Sequence, residues 1–273
     1  MSRVMNEPHL NALKCPKCGK KLLFNGAFAT HSDVEDGEIV CERGHIWSIN
    51  DGIPSLVHPP INEKDAKWIS EYDEMADNYD ELVKQYDEWL GVDMMKEREN
   101  FSHFVPNEGP VSIIDVSIGT GANFIALQNQ FKNQMSRFNL HGMDLSTGML
   151  KASKAKFLKS KLSVNLTHGS VYNIPYKTSF FDIVVHSGGL NTFSDIPGAL
   201  NEMLRITHSG GTIIVVDEGL SPRKRETEEG KEIMKANTLF ATRPPLKHIP
   251  DGAKDVEVTY VMNETFYQLV FKK

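Results

Sequence analysis

Three cysteines and one histidine stand at a spacing that suits a metal ion. Among 273 residues the three Cys all fall in the first 41, as Cys15-Pro-Lys-Cys18 and then Cys41-Glu-Arg-Gly-His45. Two ligands two residues apart sit on one tight knuckle. A second pair 23 residues beyond Cys18 completes a tetrahedral set of three thiolates and one imidazole. Such a set leaves no coordination position open, so its metal is structural. Three cysteines cannot pair off evenly as disulfides, and no βαβ pattern surrounds the Cys-x-x-Cys as a redox motif would require. Gly19 and Gly44 fit turns whose N–H groups point at sulfur and steady thiolate charge. The reading is a zinc ribbon in which Zn2+ helps a small unit to fold. His45 is its least certain ligand, since His31 or His58 could take that place.

A second set carries different chemistry. Asp115-Val-Ser117-Ile-Gly119-Thr120-Gly121 follows an apolar run and leads into an amphipathic one. The two glycines permit positive φ and let the main chain approach a ligand, while the next helix directs its N–H groups there. Asp144, 23 residues past Gly121, ends the following apolar run, where a carboxylate can accept hydrogen bonds from both hydroxyls of a ribose. A nucleoside ligand follows. A pyrophosphate binder would prefer a third glycine at position 124, and that residue is Phe. A sulfonium nucleoside therefore suits the loop better than a dinucleotide.

The elements that must position these residues follow from periodicity. Beyond Pro110 short apolar runs (VSIIDVS, NLHGMDL, FDIVVHS, GTIIVVDE) alternate with amphipathic stretches, which specifies an α/β fold with a parallel sheet covered on both faces. In VEVTYVMNETFYQLVFKK two β-rich runs are separated only by Met-Asn-Glu-Thr, so this is an antiparallel hairpin. From Trp68 to about Phe104 apolar residues recur at three and four, giving helices broken at Gly91. Near the metal motif, strands are expected at 20–24 and 38–42, a turn at Asp51-Gly52, an end of the ladder at Pro54, and a linker at Pro59-Pro60.

Charge is unevenly spread. Residues 1–60 carry 6 basic and 7 acidic side chains, residues 61–105 carry 5 and 13, and the remainder 19 and 16. An acidic middle segment repels phosphates over roughly 8 to 10 Å, so nucleic acid is not the expected partner. The longest apolar stretches, such as IIVV at 213–216, fall far short of the ~20 residues of a membrane span. The N-terminus lacks a signal-peptide pattern, and a cytoplasmic placement is expected.

Residues 111–217, from IIDVSIGTG through HGMDLSTGML, HGSVYNIPY and FDIVVHSGGLNTFSD to ALNEMLRITHSGGTIIVVDE, resemble the class I S-adenosylmethionine-dependent methyltransferases. The final hairpin is similar to the reversed seventh strand of that family. YDEMADNYDEL, GGLNTFSD and LRITHSGGTIIVVDE resemble the ubiquinone/menaquinone methyltransferase-like group, whereas the ribbon is closer in plan to rRNA guanine-N1 methyltransferases. Two departures stand out: Ser117 replaces the first glycine of the motif, and Ser170 stands where an acid often holds the adenine amino group.

The resemblance implies a Rossmann-like seven-stranded sheet at 106–273 with its last strand antiparallel, a helical lid or linker at 61–105, and a zinc ribbon at 1–60. It implies that Asp115 belongs to the cofactor-binding set, that the loop Ser117, Gly119, Thr120, Gly121 lies against the methionine moiety and that Asp144 holds the ribose. Leu145 and Met149 would sandwich the adenine, with Ser170 and Val171 at its edge. His186, Ser187 and Gly188 would face the sulfonium, with His186 the candidate base and Tyr79 closing the pocket. Metal ligands are Cys15, Cys18, Cys41 and His45. The expected reaction is in-line methyl transfer to a small molecule. The alternatives are an RNA methyltransferase guided by the basic ribbon (Lys14, Lys17, Lys20, Lys21) and a non-catalytic cofactor-binding protein that docks a partner.

Overall fold

Strands that are apolar along their whole length need cover on both faces, and the chain supplies it with helices. The computed structural model describes residues 5–25 and 34–273. In chain order the first elements are α1 (Glu7–Ala12), β1 (Leu22–Phe24), β2 (Gly37–Cys41), β3 (Ile46–Asn50) and β4 (Ile53–Pro54). Helices α2 (Glu63–Met75), α3 (Tyr79–Leu90) and α4 (Met94–Glu99) follow. Then come β5 (Val111–Val116), α5 (Ala122–Phe131), β6 (Phe138–Asp144), α6 (Thr147–Ser160), β7 (Asn165–His168), β8 (Phe181–Ser187), α7 (Ile196–Ile206) and β9 (Thr207–Glu218). The chain closes with α8 (Pro222–Arg225), α9 (Glu228–Ala236), β10 (Lys254–Val261) and β11 (Phe266–Lys272).

The large sheet has seven strands in the order β10-β11-β9-β8-β5-β6-β7. β9, β8, β5, β6 and β7 run parallel, β11 is antiparallel to β9, and β10 pairs with β11 across the turn Met262–Thr265. Successive residues of one strand serve opposite faces. Ile114, Val116 and Val184 pack with Leu200 and Met203 of α7, while Ile113 and Val185 pack with Phe124 of α5 and Leu150 and Phe157 of α6. Strand order reverses beside β5, between β6 and β8, which places the open crevice at the carboxyl ends of those strands.

The N-terminal strands form a separate antiparallel sheet, β1-β2-β3-β4, but not a separate core. Leu13, Leu22, Ile39, Ile49 and Leu56 belong to the same buried cluster as Met143, Ile174 and Tyr176. Pro54 does not end the ladder, contrary to the sequence expectation. Pro54 pairs with Ile49, the next residue donates its N–H to Ser48 O at 2.8 Å, and Ser55 then forms a parallel bridge to His168. A proline removes one donor, and the neighbouring residues supply the ladder on either side. With Leu56 N bonded to His168 O at 2.8 Å, this segment covers the β7 edge of the large sheet.

Helices α2 to α4 break at Gly91 as expected, where φ is +64°. Their acids are not merely a solvated face. Asp73 Oδ1 accepts from Ser146 Oγ (2.6 Å) and Gly148 N (2.7 Å), and Asp80 accepts from Thr120 Oγ1 (2.7 Å) and Lys156. Asp65, 8% exposed, accepts from Tyr172 OH and Ser194 Oγ. Helical spacing finds the apolar stripe but does not say which polar positions meet another element, so these ties needed the fold.

Candidate active site

The turn after β5 runs Ser117 (φ +65°), Ile118, Gly119 (φ +54°), and Ile118 N donates to Met143 O at 2.9 Å, tying the turn to β6. Asp144, at the end of β6, accepts from Gly119 N (2.8 Å) through Oδ2 and from Ser146 N (2.9 Å) through Oδ1. Burial lifts its carboxyl to about 6, against the N–H groups of Ser146, Gly119 and Leu145 that favour the anion. Ser146 then caps α6 by accepting from Met149 N. Each hydrogen bond here fixes backbone, so the carboxylate and the turn are positioned together.

A solvent-open cavity lies at these strand ends. One wall is Ser117 to Thr120, Asp144 to Ser146, Met149 and Val171; the opposite wall is Trp68, Ile69, Tyr72 and Tyr79 of α2 and α3, with Tyr172 and Phe193. Tyr72 and Tyr79 lie 6.2 Å apart between ring centroids, and burial pushes both phenols above their ordinary range, which keeps them neutral. Arg98 of α4 also lines the cavity, donating from one guanidinium nitrogen to Asn123 Oδ1 (2.7 Å) and Ser187 Oγ (3.1 Å). Below the loop after β8, buried Asp217 accepts from Asn191 N (2.7 Å) and Gly189 N (3.3 Å) and so holds Gly188 to Thr192 in place.

The cavity brings together Ser117, Gly119, Thr120, Asp144, Leu145, Met149, Val171, Ser187, Gly188 and Tyr79. Four other sequence candidates lie off its wall. Asp115 is 1% exposed, accepts from Asn123 Nδ2 at 3.1 Å, and is raised by burial to about 8, so it is protonated near neutral pH. Ser170 caps the turn Val171–Asn173, accepting from Tyr172 N at 3.3 Å. His186 is fully buried, with Nδ1 bonded to Val116 O at 2.7 Å and its ring against Phe193. Burial lowers its pKa to about 4, leaving a neutral and weakly basic ring beneath the wall.

Gly121 is required by its positive φ and by packing. Its φ is +83°, and a Cβ there would lie 2.2 Å from Phe157 Cζ of α6. Gly121→Ala is expected to destabilise the fold by about 1 to 3 kcal/mol, read as a lowered melting temperature. An unchanged melting temperature would contradict that packing.

Sequence reasoning missed Arg98, Asp65, Tyr172 and Phe193 as cavity residues. Arg98 had one available signal, as the single arginine of residues 61–105, where acids outnumber bases 13 to 5; the others had none. In the N-terminal unit the ligand atoms of Cys15, Cys18, Cys41 and His45 all lie within 4.8 Å of one another. His58 is not in this cluster, and His31 lies outside the described residues.

Residues 114–215 match the methyltransferase domain family model. A demethylmenaquinone methyltransferase of Bacteroides fragilis is 24% identical over 200 residues, 67% of this chain and 78% of that protein. Among solved structures, a protein of Methanococcus maripaludis described as an S-adenosyl-L-methionine-dependent methyltransferase has a TM-score of 0.53 at 19% identity, covering 80% of this chain and 97% of that one. Haemonchus contortus phosphoethanolamine N-methyltransferase 2, solved with S-adenosyl-L-methionine, has a TM-score of 0.50 at 15% identity over 63% of this chain, which spans only about half (51%) of that protein. The structural likenesses carry the fold; the family match falls on the segment that builds the cavity floor. Residues 114–215 therefore carry a methyltransferase domain, set in a fold shared with S-adenosylmethionine-dependent methyltransferases.

Proposed function

We propose that the protein transfers the methyl group of S-adenosylmethionine to a small, flat, largely apolar acceptor held beneath α2 and α3. The observation that carries this reading is one continuous cavity, lined by the Gly119 turn and Asp144 on one side and by Trp68, Tyr72, Tyr79, Tyr172 and Phe193 on the other. When bound, the cofactor supplies a methyl already made electrophilic by its sulfonium. Asp144 would accept from the ribose hydroxyls, Leu145 and Met149 would flank the adenine with Val171 at its edge, and the turn Ser117 to Thr120 would run along the methionine portion. The aromatic wall excludes water and limits the acceptor to poses behind the methyl, so proximity carries the rate. His186 takes no part in moving a proton, because it does not reach the cavity.

The name of the Bacteroides fragilis relative supports an acceptor built on a ring. An RNA acceptor is disfavoured: among the described residues Arg98 is the single cation lining the cavity, and Asp65 and Asp144 line it too. The second component of the proposal is Zn2+ at Cys15, Cys18, Cys41 and His45. Cys41 Sγ accepts from Arg43 N (3.3 Å) and His45 N (3.4 Å). Both N–H groups favour the thiolate form that a metal would bind. We take residues 1–60 as the zinc unit, 61–105 as the lid and 106–273 as the methyltransferase domain.

The test pairs calorimetry with transfer. Wild-type protein should bind S-adenosylhomocysteine, and methyl-labelled cofactor should give label in an organic extract when hydroquinones and phenols are offered. Absence of S-adenosylhomocysteine binding would overturn the cofactor assignment, and label appearing only in RNA would overturn the acceptor class.

A further inference from the structure

Three polar ties join the N-terminal unit to the adenosine side of the cavity, each close to a residue that lines it. His168, at the end of β7, has Nε2 3.2 Å from Leu145 O and Nδ1 2.9 Å from Ser55 Oγ. A carbonyl oxygen only accepts, so Nε2 carries the proton and Nδ1 accepts from the Ser55 hydroxyl. Burial lowers the pKa of His168, which keeps the ring neutral and this pattern intact. Asn173 closes the turn that contains Val171, and its Nδ2 donates to Pro16 O (2.8 Å) and His58 O (2.9 Å). Lys154 of α6, the helix of Met149, donates to Asp51 O at 2.7 Å and pairs with the Asp51 carboxylate. Its side chain is only 13% exposed.

Asp51, Ser55, Pro16 and His58 belong to the N-terminal segment, while Leu145, Val171 and Met149 are the apolar residues assigned above to the adenine ring. We propose that the N-terminal unit positions the adenosine half of the cofactor site, chiefly through Ser55, His168 and the backbone of Leu145, with Asn173 and Lys154 as further ties. The inference rests on the reading of the cavity as a cofactor site. His168 acts here as a positioning residue. Without its bond to Leu145 O, the segment that carries both Asp144 and Leu145 loses a constraint that the cofactor must then restore on binding.

The experiment compares the full chain with Ser55→Ala, Asn173→Ala, His168→Ala and His168→Gln, by S-adenosylhomocysteine calorimetry, steady-state kinetics and melting temperature. His168→Ala is expected to raise Kd for S-adenosylhomocysteine and KM for S-adenosylmethionine about tenfold while kcat stays within about twofold. His168→Gln should recover most of the loss, because its amide can donate to Leu145 O and accept from Ser55. Ser55→Ala and Asn173→Ala, which lie off the cavity wall, should each weaken binding about threefold. If His168→Ala does not fold, those two variants decide. Folded Ser55→Ala and Asn173→Ala proteins that bind like wild type would overturn the proposal while leaving the cofactor site standing. Wild-type protein that binds no S-adenosylhomocysteine would remove both.

Discussion

Asp144→Ala is expected to weaken S-adenosylhomocysteine binding about a hundredfold, equivalent to ~2.8 kcal/mol, in a calorimetric titration at pH 7.5. Two losses add. The carboxylate would no longer receive the ribose hydroxyls, and charge-assisted hydrogen bonds of that kind are each worth about 1.5 to 3 kcal/mol. Gly119 N and Ser146 N would also lose their acceptor, so the turn that meets the cofactor would loosen. The same residue sets a pH dependence. Its folded pKa of about 6 lies above the ordinary carboxylate value, so on this group alone the folded protein gains stability relative to the unfolded chain as pH falls toward 4. Binding runs the other way. Ribose hydroxyls donate more strongly to the ionised form and so pull the pKa down in the complex. Affinity should be level above pH 6 and weaken as pH falls through it, and Asp144→Asn should remove that dependence. A wild-type titration flat from pH 5 to 8 would contradict the assignment.

Removal of the metal is expected to have the larger effect on stability. A structural Zn2+ contributes on the order of 10 kcal/mol or more of apparent binding free energy, more than the few buried apolar side chains of a small unit of this kind can supply. Elemental analysis should find one zinc per chain, and Cys41→Ser or prolonged chelation should abolish it. Hydrogen exchange should then show loss of protection at β2 and β3, spreading to Tyr176 and the β7 edge, because Leu13, Ile39 and Leu56 share one buried cluster with Ile174 and Tyr176. Protein that holds no zinc when purified without chelator would sink the metal assignment. Full protection at β2 after zinc loss would sink its folding role.

Much of the molecule was legible because the controlling interactions are local. Continuous apolar strands alternating with amphipathic runs specified the parallel sheet, and the short Met262–Thr265 connection specified the reversed last strand. The metal cluster was legible because two knuckles at fixed spacing need only one further approach to close. Residue types at β-strand ends also marked Ser117, Gly119 and Asp144, and the family resemblance marked Met149; all four line the cavity.

Direction in space was not legible. Whether a side chain at a strand end enters the cavity or passes beneath it depends on which residue of the next element covers it. His186, for example, lies under Phe193, and its residue type alone does not tell that. The packing of α2, α3 and α6 sets Asp73 opposite Ser146 and Asp80 opposite Lys156, pairings that helical spacing alone does not specify. The sequence alone determined the class of fold, the grouping of Cys15, Cys18, Cys41 and His45, and the end of the sheet where a nucleoside could sit, since each follows from periodicity or spacing along the chain. Only the tertiary structure decided that the N-terminal sheet is built into the β7 edge and that Arg98 belongs to the cavity. Both depend on contacts between residues far apart in sequence, and no local pattern encodes those.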